Sequence, residues 1–470
     1  MKRREFLGAM AASLVEARRG VPVSQPARPN IVYVFADQHR NSSWSGGDDH
    51  PVITPNLGRL AREGAVFSHA ISNFPLCSPY RASLLTGRYP QTNKIMHNVG
   101  GRDLGLATTE VTVADLLKQA GYATGYVGKW HLYPGAPEGK LVPAGPHRHG
   151  FEWWRVCHNY RTRYDTRCFD DSGKEFVLPD YAPKSQMDLT LEFIENHARR
   201  PFCVFLSWHP PHAPYHEAPQ RFVDLYPIEK LKLRPNVPKD ADLKRIREAY
   251  VGYFSHVSAM DEEMGRLMKK LAQLGIAGNT IICYSSDHGD MLGSFNLWAK
   301  QKPWEESINV PFVIRWPDGI PAGRRLGTLF ATVDIAPTLL GLAGIPVPVS
   351  GVLKGGDAAG PESAFIMARG AVGTGAEAAA PAGRGQRARK AAKKAARKEA
   401  KRGGEWRGVR TARHTYARRE TPGGASPWVL YDNDKDPYQM RNLVEDPAAA
   451  SIRKELDAMV DGWRRRLGEA

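Results

Sequence analysis

The sequence predicts an α/β fold: a large, mostly parallel sheet sandwiched by helices, with a smaller C-terminal α+β subdomain. Three observations carry this expectation. Short apolar runs rich in β-branched residues alternate with helical patterns, the order expected when helices cover both faces of a parallel sheet. Composition then collapses over residues 370–404 into Ala, Gly, Lys and Arg, which cannot build a core. Beyond that tract, apolar patterning resumes with two strand-like stretches and one helix.

Taken in order, the clearest strands are IVYVFA (31–36), YATGYVG (122–128), FCVFLSW (202–208), TIICYSS (280–286) and PFVIRW (311–316). The best helix spans 242–274. Its apolar residues Leu243, Ile246, Tyr250, Phe254, Val257, Met260, Met264, Leu267, Leu271 and Leu274 fall at steps of three or four, one face of a 3.6-residue period. Gly275 is a C-terminal stop, and the length leaves room for an internal break. A second amphipathic helix covers 334–345. Residues 406–418 and 428–433 read as two antiparallel strands, followed by a helix at 450–467. The boundaries drawn are an N-terminal segment 1–28, a main domain 29–345, a linker with a low-complexity insertion 346–405, and a subdomain 406–470.

The chain has 65 Lys+Arg against 49 Asp+Glu, a formal charge of +16. Between Arg384 and Arg402 stand ten basic residues and one acid, so +9 of that charge belongs to one short tract. The tract has no aromatic residue for base stacking, which leaves only salt-sensitive, sequence-blind attachment to polyanions and no specific nucleic-acid recognition. No apolar run approaches the roughly 20 residues that span a bilayer, so no transmembrane anchor is expected. The opening MKRREFLGAMAASLV resembles a twin-arginine export signal, which implies a periplasmic or extracellular destination; otherwise the chain is cytoplasmic. Five cysteines are too few for a disulfide scaffold. Cys203 and Cys283 read as buried strand residues, and Cys157 and Cys168 are candidates to pair in an oxidising compartment.

Polar residues collect directly after the proposed strands, where open α/β sheets bind ligands. Asp37, Gln38 and His39 follow the first strand. Lys129 and His131 follow the second, His209 and His212 the third, and Asp287, His288 and Asp290 the fourth. Singly, such an Asp is often a helix cap and such a His structural; four clusters at one sheet edge point to chemistry. Asp37, Gln38, Asp287 and His288 make a cation site, two carboxylates and an amide suiting Ca²⁺ or Mg²⁺, the imidazole equally Mn²⁺ or Zn²⁺. Ser78-Pro79 reads as a helix start, which places Cys77 where backbone amides favour an anion. Arg81 lies one turn in. On these residues alone, Cys77 is as well explained as a reactive thiol at a cap.

CSPYRASLLTG (77–87) resembles the Cys-x-Pro-x-Arg…Leu-Thr-Gly signature of the type I, formylglycine-dependent sulfatases of the alkaline phosphatase superfamily. The resemblance extends through PNIVYVFADQ (29–38), GKWHL (128–132), HPPHAPY (209–215), SSDHGDMLG (285–293) and VDIAPTLLGLAGI (333–345). It implies an alkaline phosphatase-like catalytic domain over 29–345 and hydrolysis of a sulfate ester with release of sulfate. It also implies that Cys77 is converted by a formylglycine-generating or sulfatase-maturating enzyme. One hydroxyl of the hydrated formylglycine then attacks sulfur and expels the alcohol, and the second loses a proton as the aldehyde re-forms. By the same resemblance one divalent cation, Ca²⁺ before Mg²⁺, Mn²⁺ or Zn²⁺, is held by Asp37, Gln38, Cys77, Asp287 and His288. Arg81 and Lys129 steady the nucleophile and its anionic adduct, His131 is the base, and His212 with Lys302 binds sulfate and assists the leaving oxygen.

Two positions depart from the pattern. Gln38 stands where the family often has a second Asp, and Tyr80 where the signature has a small residue. The substrate expected is a sulfated small molecule or polysaccharide, with the aromatic and basic stretch 149–164 as a groove lining or, equally, packing under the sheet edge. The alternative activity is that of a phosphodiesterase or phosphonate monoester hydrolase of the same superfamily.

Overall fold

The computed structural model describes residues 28–48, 52–100, 105–135, 139–158, 163–347, 362–369 and 405–469. Nearly all of the proposed export signal and the whole of the basic tract lie outside these residues.

The strands of the main sheet are β1 (Asn30–Asp37), β2 (Ala65–Ile71), β3 (Ala123–Lys129), β4 (Trp153–His158), β5 (Arg167–Phe169), β6 (Glu175–Val177), β7 (Phe202–Pro211), β8 (Thr280–Ser286), β9 (Val313–Arg315) and β10 (Arg324–Ala331). Their spatial order is β10-β2-β9-β8-β1-β7-β3-β4-β5-β6. The centre, β8-β1-β7-β3-β4, is parallel throughout, so the carboxyl ends of these strands share one edge. β9 runs antiparallel between β8 and β2. The predicted strand 311–316 is therefore shorter than read and points the other way.

Alternate side chains of the central strands feed two separate cores, as the pleat requires. Ile31, Tyr33 and Phe35 join one, and Val32, Val34 and Ala36 the other. The first core is closed by α2 (Cys77–Thr86), α3 (Val113–Gln119) and α6 (Thr332–Leu342), the second by α1 (Pro55–Arg62), α4 (Ala182–His197) and α5 (Leu243–Gln273). α5 is one helix without a break. Its long run of buried residues against α4 and α1 outweighs any local tendency to stop.

The C-terminal sheet is β11 (Ser363–Ala368), β12 (Glu405–Thr411), β13 (His414–Thr421) and β14 (Gly424–Asp432), all antiparallel, with α7 (Ala450–Arg466) packed on it. The stretch read as one strand over 406–418 is two, folded back at Ala412-Arg413, because an outer strand alone could not bury Trp406, Val409 and Tyr416 together. β11 lies inside the segment read as linker. This sheet shares a core with the main domain: Ile71, Phe74, Leu76 and Ile308 pack with Phe365, Trp406 and Leu430.

Of the aromatics in 149–164, Trp153 and Trp154 lie on β4, Phe151 is buried just before it, Tyr164 is exposed, and Tyr160 lies outside the described residues. Trp154 on β4 is fully buried against Tyr126 and Trp130. Cys157 and Cys168, opposite each other in the β4–β5 register, form a disulfide. Cys203 and Cys283 are free and buried.

Candidate active site

Parallel strands deliver the predicted residues to one edge. Asp37 ends β1 and Lys129 ends β3; His212 follows β7, and Asp287 and His288 follow β8. Close strand packing at this edge demands glycine before Lys129: Gly128 has φ +96°, and a Cβ there would lie 2.1 Å from the Ser207 carbonyl oxygen. Against this edge α2 presents its first residue, Cys77. Tyr80, large for its place in the signature, is accommodated because its ring enters the first core and its hydroxyl meets that of Tyr33 at 3.4 Å.

Cys77 is 1% exposed. Its Sγ lies 3.1 Å from Lys300 Nζ, 3.4 Å from Lys129 Nζ, 3.5 Å from His288 Nε2 and 3.6 Å from Asp37 Oδ2. Burial and Asp37 push the thiol up, but Lys129, Lys300 and a hydrogen bond with His131 outweigh them and hold it well below the usual thiol range. The group at position 77 thus sits where negative charge is favoured. Arg81 lies one turn into α2, close enough for Cys77 to act on its charge. Its Nη2 donates to Asp37 Oδ2 at 3.4 Å and Asp287 Oδ2 at 3.2 Å, and its Nη1 to Ser207 Oγ at 2.6 Å and the Lys129 carbonyl at 2.8 Å. It ties the two carboxylates to the strand ends.

Ligand atoms of Asp37, Cys77, Asp287 and His288 lie within 4.8 Å of one another, all buried. His288 Nδ1 lies 3.0 Å from the Gly289 carbonyl oxygen, which only accepts. In the neutral ring Nδ1 therefore carries the proton, and Nε2 turns a lone pair toward Asp37 Oδ1 at 3.5 Å and Asp287 Oδ1 at 3.4 Å. Converging lone pairs repel one another unless a cation lies between them, and a carbonyl-anchored imidazole is the usual form of a metal-ligating histidine. Burial and the neighbouring Asp37 push Asp287 up to about 6. Asp37 is also raised by burial, but Lys129 and Lys300 prevail and hold it low. Gln38 is buried next to Asp37, with φ +75° and its backbone N–H on Asp287 Oδ1 at 3.0 Å. The buried Asp, Cys and His cluster fits metal binding.

His131 is nearly buried, and burial together with Lys129 lowers it to about 4. Burial and Lys300 lower His212 to about 3. Both rings are neutral at neutral pH. His212 Nδ1 faces the Ala213 carbonyl oxygen at 2.9 Å, so its Nε2 is an acceptor in that state. His209 stacks on His212 with centroids 4.7 Å apart, and its Nδ1 meets Arg163 Nη1 at 2.8 Å. Arg163, fully buried, also donates to the His212 carbonyl oxygen.

Three residues were not singled out from the sequence. Lys300 brings its ammonium to the thiol, flanked by Ala299 and Gln301 with φ +58° and +68°. Lys302, the lysine named from the sequence, is buried two positions on, with its backbone N–H on Ser307 Oγ at 3.2 Å. Two lysines in AKQK look alike locally; only the left-handed turns around Lys300 separate them. Arg163 and Tyr215 had no local signal beyond lying in or beside polar loops.

The family model described as Sulfatase matches residues 29–345. Over 463 residues the chain is 35% identical to an ulvan-active sulfatase of Formosa agariphila, covering 95% of this chain and 83% of that protein. It is 30% identical to an endo-4-O-sulfatase of Bacteroides thetaiotaomicron, covering 90% of this chain and 89% of that one. A solved structure from Bacteroides fragilis, assigned as a sulfatase, superposes with a TM-score of 0.79 at 26% identity, over 96% of this chain and 98% of its own.

Proposed function

The chain belongs to the sulfatase family and is a sulfuric ester hydrolase, and from that premise we propose that it removes sulfate from a sulfated carbohydrate through position 77. The observation that carries the reading is the cluster itself: a buried residue at the head of α2, ringed by Lys129, Lys300, Asp37 and His288. Oxidation of Cys77 to formylglycine supplies a hydrated aldehyde with one hydroxyl to attack sulfur and a second to expel sulfate. With the thiol 1% exposed, the modifying enzyme must act before the chain closes around it. A divalent cation, favoured here as Ca²⁺, supplies positive charge to the attacking oxygen and the sulfate oxygens, held by Asp37, Gln38, Asp287, His288 and the modified residue 77.

The remaining work falls to the chain's own side chains. Arg81 fixes the spacing of Asp37 and Asp287. Lys129 and Lys300 present ammonium groups where sulfate oxygens gain charge. His131, neutral at neutral pH, takes a proton on its ring. His212 Nε2 accepts until the arriving sulfate raises it; protonated, it donates toward the leaving oxygen, and Lys300 takes the sulfate-binding part that the sequence assigned to Lys302. The carbohydrate substrate is supported by the names of two relatives that cover most of the chain. Export to the periplasm or beyond is supported by the opening Arg3-Arg4; among the described residues no helix is long and apolar enough to cross a membrane.

Mass spectrometry of the peptide containing Cys77, from enzyme made in its own cell, tests the reading. Loss of the thiol and gain of an aldehyde is expected, with aryl sulfate preferred over aryl phosphonate in steady-state kinetics. An intact thiol in active enzyme would reject the mechanism, and a clear preference for the phosphonate would reject the substrate class.

A further inference from the structure

We propose that Asp290 is a positioning residue: its carboxylate sets which end of the Gln38 amide faces the cation, while holding the loop that carries Lys300. The inference rests on the reading that Gln38 is a cation ligand. Asp290 is fully buried. Its Oδ2 receives Gln38 Nε2 at 2.6 Å and the Tyr215 hydroxyl at 2.5 Å. Its Oδ1 receives the backbone N–H groups of Leu292 and Ala299, each at 2.9 Å. Three of these four donors belong to non-glycine residues with left-handed backbone, Gln38 at φ +75°, Leu292 at +43° and Ala299 at +58°, a conformation that persists only where its surroundings impose it.

The amide group of Gln38 that faces Asp290 is its NH₂, which donates to Oδ2 at 2.6 Å. The other end of the amide, Oε1, is then left buried with no hydrogen-bond partner among the described residues, next in sequence to Asp37 and with its own backbone N–H on Asp287. A bare amide oxygen in that position is costly unless a cation takes it up. Were the amide reversed, its NH₂ would be turned toward the cation. Asp290 thereby compensates for the missing second carboxylate: it makes a glutamine present oxygen only. Through Ala299 the same carboxylate fixes the residue before Lys300.

The test is a Ca²⁺ titration by calorimetry on the full chain, a readout independent of turnover. Asp290→Asn keeps an oxygen for Leu292 and Ala299 but turns an NH₂ toward Gln38, so the amide flips and Ca²⁺ binding weakens about tenfold to a hundredfold. Pairing it with Gln38→Glu restores a donor facing an acceptor, and the double variant should recover to within about threefold of the parent. Asp290→Asn binding Ca²⁺ within about twofold of the parent, or a double variant as weak as the single, would overturn the proposal. If Asp290→Asn alone does not fold, the double variant, whose new carboxylate accepts from that NH₂ and leaves only the Tyr215 hydroxyl to rotate, must still fold and bind; its failure counts against the idea equally. Gln38→Ala separates the two levels: parent-like Ca²⁺ binding there removes the ligand reading and this inference together, whereas weak binding there beside unaffected Asp290→Asn rejects only the inference.

Discussion

Charge at single residues sets the chemistry. Lys129 and Lys300 outweigh both burial and Asp37 at position 77, so a group that develops negative charge is favoured there before any substrate arrives. Lys300→Ala should lower kcat/KM for an aryl sulfate by about a hundredfold or more, the scale for loss of one oriented donor to a developing oxyanion. Lys302→Ala should cost less than about tenfold. Parallel kinetics on the two variants decide between them, and the reverse order would return the role to Lys302. Arg81→Lys should be as damaging as Arg81→Ala, because an ammonium cannot span Asp37, Asp287 and Ser207 as the planar guanidinium does; a Lys variant with parent-like turnover would show that charge alone suffices.

The elements contribute rigidity at specific contacts. α5 runs 31 residues, capped by Asp242 through the Arg245 N–H at 3.2 Å, and packs its apolar stripe under the sheet. Leu267, fully buried in this core, should cost about 2–5 kcal/mol on truncation to Ala, read by urea unfolding, with KM unchanged. Gly252 of the same helix differs in kind. A Cβ there would lie 2.2 Å from the Tyr215 carbonyl oxygen, and Tyr215 is a donor to Asp290. Gly252→Ala should therefore lose stability and weaken Ca²⁺ binding together, whereas Leu267→Ala loses stability alone. Equal cation affinity in the two variants would contradict that contact as a route to the site.

Across the whole molecule, buried histidines make stability depend on pH. Burial lowers His131 to about 4 and His212 to about 3, and also depresses His209 and His256. The unfolded chain takes up protons on these rings below about 6.5 while the folded chain does not. For His131 and His212 this contribution is present above about pH 6.5 and is lost as pH falls toward 4, at about 1.4 kcal/mol per pH unit for each ring, and His209 and His256 act in the same direction. Burial raises Asp261 and Asp287 to about 6 and Glu263 to about 7, which acts in the opposite sense as pH rises through those values, but four rings oppose three carboxyls. The urea midpoint should drop between pH 6.5 and 4.5, and less steeply in His256→Gln; an unchanged slope in that variant would show that His256 titrates normally. Removing residues 384–402, outside the described structure, should leave aryl sulfate turnover nearly unchanged, since the sheet edge and α2 contain every group invoked here. A collapse of kcat would place that tract at the site.

Much of this was legible in the sequence because it is local. Strand β1 and the chemistry at its end, Asp37 to His39, occupy ten consecutive residues, and the period of α5 runs through its whole length. Such patterns need only the pleat, the helical repeat and the residue types to be read. Asp37, Asp287 and His288 are legible because each stands at the end of a strand pattern, and a parallel sheet brings strand ends together whatever the loops do; Cys77 is legible as a nucleophile only through the resemblance of CSPYRASLLTG to the family signature. Tertiary structure alone brought Lys300 to the thiol, set Arg81 on Asp37 and Asp287, and gave Asp290 its four donors. It also joined β11 to a sheet whose other strands begin beyond the low-complexity tract. In each case the outcome depends on directions rather than residue types. A left-handed turn at Ala299 or Gln38 reverses where a side chain points, and the hydrogen bonds that hold such a turn come from residues up to 252 positions away.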